Sequence, residues 1–85
     1  MTDDITVSER VDATGQTCPM PVIEAKAGVD RLSSGQVLEV LATDKGSVSD
    51  IEGWAAATAG VELLDQAETE ADGERVYTHY VKRTE

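Results

Sequence analysis

Cys18 is the only cysteine of the chain, and it stands in the stretch Thr17-Cys18-Pro19-Met20-Pro21-Val22, with prolines one and three residues after it. Residues before it alternate as a strand does, and residues after it follow a helical period, so the thiol falls where an extended segment hands over to a helix. Proline suits the first turn of a helix, because its fixed φ fits and the N–H it lacks would have had no intrahelical partner. The spacing therefore predicts Cys18 at or just before the first helical residue, where free N–H groups and aligned peptide dipoles favour thiolate over thiol. If that bias is worth about 1 to 2 kcal/mol, and one pKa unit is about 1.4 kcal/mol, the thiol pKa falls by about one unit. The thiolate fraction at neutral pH then rises from about 3% to about 25%, which makes Cys18 a usable nucleophile.

Pro19 and Pro21 would hold the sulfur in one direction, or serve simply as first-turn prolines. Met20 between them is expected to be exposed and apolar beside the thiol, a candidate partner contact. The competing reading of Cys18 is a small buried hydrophobe; two flanking prolines at a helix start would give such a residue nothing. His79 is the only histidine. Cys/His catalysis would need it within hydrogen-bond reach of Cys18, and a histidine packed on the sheet is the stronger expectation. Asp44 and Asp50 could form a polar rim near the thiol, although turn and capping roles account for both.

The elements that must position these groups follow in order. Ile5, Val7, Val11 and Ala13 alternate with polar residues, interrupted by Glu9, and predict a first strand after a frayed start at residues 1–4. Thr14-Gly15-Gln16 breaks it. From Pro19 to about Ser33, Val22, Ala25, Val29 and Leu32 form the apolar stripe of a helix, with Gly28 a weak point and Ser33-Ser34-Gly35 its end. Gln36 to Thr43 is a second strand, with Leu38, Val40 and Ala42 toward the core. Thr43-Asp44-Lys45-Gly46 is turn chemistry, and Ser47-Val48-Ser49-Asp50 has the spacing of a capping box. The helix it opens carries Val48, Ile51, Ala55 and Ala59 on one face, bordered by Trp54 and Thr58 and closed by Gly60. Val61–Thr69 and Arg75–Lys82 read as strands around the Asp72-Gly73 hairpin signal, with Tyr77, His79 and Val81 on one face of the last. The order β-α-β-α-β-β predicts an α+β fold, a two-layer α/β sandwich with a mixed four-stranded sheet and both helices on one face.

The chain has 85 residues, 17 acidic against 7 basic, and a formal net charge of −10. That length predicts one domain over residues 1–85. With no phenylalanine, Val, Leu, Ile and Ala must fill most of the interior. Acids spread along the whole chain disfavour direct nucleic-acid or anionic-membrane binding, and their excess over lysine points to a halophilic source, where molar salt shrinks the Debye length to about 3 Å. No positive n-region and no membrane-length apolar run are present, so a cytoplasmic location is expected. One cysteine makes neither an internal disulfide nor a thiolate-rich zinc site, so no metal is expected and any disulfide or persulfide chemistry needs a partner molecule.

Cys18-Pro19-Met20-Pro21 entering a helix, preceded by Asp12-Ala13-x-Gly15 and followed by a basic residue on that helix, then by Gly35-x-x-Leu38, Asp44 and Asp50-Ile51, resembles the TusA/SirA family of small sulfur-carrier proteins. The resemblance runs from about Val11 to Lys82. It implies a carrier rather than a self-sufficient enzyme, needing no cofactor, which accepts sulfane sulfur as a persulfide on Cys18 and hands it to another protein. In the family the donor is often a cysteine desulfurase or a rhodanese-type protein, and the destinations include tRNA thiolation, molybdenum-cofactor maturation and sulfur oxidation. By position Cys18 matches the persulfide cysteine, Pro19 and Pro21 the motif prolines, and Lys26 the basic helix residue. Lys26 lies about 11 Å along the axis from Cys18, too far to pair with a thiolate, so its candidate role is toward a partner or substrate.

Some relatives carry a second cysteine where Trp54-Ala55 stand here; its absence removes a two-cysteine relay and leaves a one-thiol carrier intact. Met20 in place of an acidic residue bears on partner choice. Two other functions stand beside the carrier: a thiol-independent regulatory or adaptor module docking through its acidic face, and a single-cysteine redox sensor, for which no resolving cysteine is available. Nothing demands more than a monomer.

Overall fold

The computed structural model describes residues 6–17 and 19–85. The expectations for Ile5, for the frayed start and for the thiol of Cys18 itself fall on residues outside that set. The described chain runs β1 (Val7–Ala13), α1 (Met20–Asp30), β2 (Val37–Ala42), α2 (Ser47–Ala57), β3 (Val61–Ala71) and β4 (Glu74–Arg83). The four strands form one mixed sheet in the order β1-β2-β4-β3, with β1 parallel to β2 and β4 antiparallel to both its neighbours. Helix α1 packs on β1 and β2, α2 on β3 and β4, and the helices touch each other, so both cover the same face. This is the expected two-layer α+β sandwich.

Alternation explains the sheet's inner face. Leu38, Val40 and Ala42 of β2 have no exposed surface, nor have Ala13 of β1 and Val81 of β4. Leu38, Val40 and Val81 meet Ala25, Val29 and Leu32 from the first helical stretch and Ile51 from α2. Trp54, Val61 and Leu63 pack partly buried around that cluster. The turn between β3 and β4 is the Asp72-Gly73 pair, both at positive φ (52° and 78°), which suits the twist of a two-residue hairpin.

Gly28 is the reverse of a weak point. It is buried, and a Cβ built there would lie 2.8 Å from both Leu38 methyls and 2.9 Å from Val11 Cγ2. The missing side chain lets α1 lie directly on β1 and β2, a gain in packing that outweighs glycine's poor helix propensity.

Three local expectations are corrected. Val7 is exposed rather than inward, because a bulge between Val7 and Glu9 pairs Val7 with Val37 and Glu9 with Leu38; the inserted residue reverses which side chain faces the helices. Glu9 accordingly meets Arg31, 3.7 Å away at the end of α1. The capping box does not form: Gly46 is the N-cap, no side chain caps it, and Ser47 is buried. Helix α1 stops at Asp30 and α2 at Ala57, leaving Ala59 outside the helix and exposed. The carbonyls at the end of α1 turn instead to β4, where Arg83 Nη1 donates to Leu32 O at 2.6 Å and Val29 O at 3.3 Å. A cation at a helix C-terminus also complements the dipole.

On the face without helices, Arg10 Nε donates to Glu39 Oε1 at 2.5 Å. Glu39 also hydrogen-bonds Tyr80, whose phenol is pushed above its ordinary range first by burial and then by this carboxylate.

Candidate functional site

Because β1 and β2 run parallel, with Ala13 opposite Ala42, the segments that leave them emerge side by side at one end of the sheet, each leading into a helix. The first of these, residues 14–19, contains Cys18. Its approach is tightly hydrogen-bonded. Asp12 Oδ1 accepts the Thr14 N–H at 3.0 Å and the Thr14 hydroxyl at 2.6 Å, and these bonds hold the Asp12 carboxyl below its usual pKa. Gln16 N–H donates to Ala13 O at 3.3 Å. Gly15 takes φ +80°, and its N–H reaches across to Thr43 Oγ1 at 2.8 Å. Gln16 Oε1 is buried with no hydrogen-bond partner among the described residues.

Thr17, Pro19 and Met20, the described residues on either side of Cys18, are all exposed, Met20 to 40%. Thr17 O accepts the Met20 N–H at 3.0 Å just ahead of α1. Pro19 is the N-cap residue, and Pro21 is fully buried inside the first turn. The two prolines thus divide the work: one shapes the exposed turn, the other anchors the helix start in the core.

The expected source of thiolate stabilisation is altered at this helix start. Met20 N–H is spent on Thr17 O, Pro21 has none, and the N–H groups of Val22 and Ile23 both point at Pro19 O. Spare donors are therefore few, and the aligned peptide dipole of α1 is what remains to favour a negative charge.

Ile23, one turn beyond Met20, is 51% exposed. With Pro19 and Met20 it extends an apolar strip along the exposed side of α1 beside position 18. Sequence periodicity missed it, since it lies off the buried stripe and looked like an ordinary surface position. Asp44 belongs to the neighbouring loop, where its Oδ1 accepts the Gly46 N–H at 2.9 Å and its carbonyl accepts the Ser47 N–H at 2.9 Å. It is the turn residue that launches α2. Lys26 is exposed and lies apart from this group: it lines a cleft of about 380 Å³ with Trp54, Gly60 and Arg83, where both helices end. That is the opposite end of the sheet from the turn that contains Cys18.

His79 is fully buried on β4. Its Nε2 lies 3.0 Å from Ser47 Oγ and its Nδ1 3.0 Å from Gln66 Nε2. Gln66 Nε2 also donates to Val48 O at 2.9 Å, which fixes the amide nitrogen toward the ring. Nδ1 is then the acceptor, and Nε2–H donates to Ser47. That tautomer cannot take a proton from Ser47, so the Ser-His-Gln constellation is no hydrolytic triad. Burial lowers the His79 pKa to about 4. With both ring nitrogens engaged, His79 is a packed structural residue, as expected, rather than a base for Cys18.

A small two-layer α+β sandwich that presents a Cys-Pro-x-Pro turn at a strand-to-helix junction defines the class. Comparison with known proteins agrees: the family model described as sulfurtransferase TusA matches residues 9–83. The chain belongs to the TusA family. It is 54% identical over 84 residues, covering 99% of both chains, to a candidate sulfur carrier protein of Halobacterium salinarum. It is 47% identical over 60 residues to the sulfur carrier protein TusA of Allochromatium vinosum, covering 71% of this chain and 78% of that one. A candidate sulfur carrier protein of Bacillus subtilis, YrkF, is 45% identical over 73 residues, which are 86% of this chain and 37% of that longer protein. Among the described residues no helix is long and apolar enough to cross a membrane.

Proposed function

We propose that this chain is a sulfur carrier whose Cys18 takes up sulfane sulfur as a persulfide and delivers it to an acceptor protein. In the loading step the Cys18 thiolate attacks the outer sulfur of a donor persulfide. A bond forms between Cys18 Sγ and that sulfur, the donor's S–S bond breaks, and the donor leaves as a thiolate, so no external oxidant or reductant is consumed. In delivery an acceptor nucleophile attacks the same outer sulfur, and Cys18 leaves as thiolate.

The observation that carries this reading is the exposure of Thr17, Pro19 and Met20 around Cys18, on a turn held by hydrogen bonds, in a member of a family matched over residues 9–83. Pro19 shapes the turn and Pro21 anchors the helix start behind it. Met20 and Ile23 offer a donor or acceptor protein an apolar contact beside the thiol. The family resemblance supports donors of cysteine-desulfurase or rhodanese type, and acceptors in tRNA thiolation, molybdenum-cofactor maturation or sulfur oxidation. One chain carries one sulfur, so a monomer suffices, and a single unpaired thiol fits a reducing cytoplasm.

Mass spectrometry after incubation with glutathione persulfide tests the reading. One added sulfur on Cys18 is expected, and none on folded Cys18→Ser. An adaptor would keep both its partner binding and its phenotype as Cys18→Ala, and a redox sensor would form a mixed disulfide with glutathione disulfide faster than a persulfide; either result contradicts the carrier.

A further inference from the structure

Sheet pairing between β1 and β2 ends at Ala13 and Ala42. Two residues on, at Gly15, the backbone has turned to φ +80°, and a Cβ built there would meet nothing within 4 Å. Asp12 with Thr14, and Gln16 N–H with Ala13 O, hold the segment locally; the 2.8 Å hydrogen bond from Gly15 N–H to Thr43 Oγ1 ties it to the neighbouring loop.

Thr43 itself is well anchored. It follows Ala42, which pairs with both Ala13 and Tyr77 in the middle of the sheet. It precedes Asp44, whose side chain and carbonyl hold Gly46 and Ser47 at the start of α2. Thr43 is half-buried, while its bond to the exposed Gly15 is open to solvent. A fixed acceptor on one loop therefore holds the backbone of the other, three residues before Cys18.

We propose that Thr43 is a positioning residue for the thiol chemistry: by accepting the Gly15 N–H, its hydroxyl oxygen fixes the segment that carries Cys18 into the turn. This deepens the reading of Cys18 as the sulfur-bearing residue and rests on it. Rates of positioned reactions fall steeply with small displacements, about 100-fold for about 1 Å in demanding cases. A valine at 43 keeps the shape and β-branching of threonine but offers no acceptor; a serine keeps the acceptor.

The test compares wild type with Thr43→Val, Thr43→Ala and Thr43→Ser, each shown to be folded by its melting curve. Three quantities are measured: the rate of sulfur uptake from glutathione persulfide, the rate of Cys18 alkylation by iodoacetamide across pH, and hydrogen exchange of the Gly15 amide. Valine and alanine variants are expected to slow both Cys18 reactions about three- to tenfold and to speed Gly15 exchange at least about tenfold. Serine restores all three to within about twofold. Valine at wild-type rates, or serine as slow as valine, overturns the proposal. A wild type that takes up no sulfur, while its alkylation still follows the hydroxyl at 43, sinks the persulfide reading and leaves the positioning role standing.

Discussion

Ser47 and His79 meet in the interior at 3.0 Å, the imidazole donating to the hydroxyl, and so join the first residue of α2 to the middle of β4. The serine that the sequence motif suggested as a helix cap is thus drawn inward to satisfy a buried ring. Gln66 completes the arrangement from β3.

This buried imidazole makes stability depend on pH. His79 titrates near 4 in the folded chain and near 6.5 when unfolded. As pH falls below about 6.5 the unfolded state binds a proton that the folded state refuses, so stability is full above 6.5, declines between about 6.5 and 4, and levels off below 4. Melting temperatures between pH 7.5 and 4.5 should show this decline in wild type, and His79→Gln should flatten it. An equally steep decline in His79→Gln would assign the effect to other groups.

Gly28→Ala should destabilise the fold by about 1 to 2 kcal/mol, since crowding Leu38 and Val11 outweighs the gain of about 1 kcal/mol in helix propensity. For a domain of this size that lowers the melting temperature by roughly 5 to 15 °C. A melting temperature equal to or above wild type would show that α1 can move off the sheet without cost.

The exposed Met20 and Ile23 predict a difference between large and small donors. Ile23→Asp should slow sulfur uptake from a sulfur-charged rhodanese at least about tenfold, in line with truncation of an apolar interface anchor, while uptake from glutathione persulfide stays within about twofold. Equal effects on both donors would place Ile23 in the thiol chemistry rather than at a docking surface.

Three arginines pair with carboxylates, Arg10–Glu39, Arg31–Glu9 and Arg75–Glu68, and the excess of acids leaves a net charge of −10. We expect a chain adapted to concentrated salt. Raising KCl from 0.1 M to 2 M shortens the Debye length from about 10 Å to below about 3 Å and should raise the melting temperature by several degrees. A flat or falling curve would mark an ordinary acidic protein.

The strands, helices and their order were legible because alternation and the 3.6-residue period are local properties. The core face of β2 followed directly from them. Contacts set by register were not legible: the bulge that turns Val7 outward, Gly28 against Leu38, and Gly15 beneath Thr43 each join residues far apart in sequence. Near Cys18 the motif marked the turn and its prolines. The engagement of the Met20, Val22 and Ile23 N–H groups and the exposure of Ile23 required the fold.

Cyanolysis measures the central claim most directly, because cyanide removes only a terminal sulfane sulfur, releasing thiocyanate and returning the thiolate. Protein loaded from glutathione persulfide and freed of donor should release about one thiocyanate per chain, regain a free thiol at Cys18 and accept sulfur again. Absence of thiocyanate from loaded wild type, or an equal yield from Cys18→Ser, would contradict the assignment of sulfur carriage to Cys18.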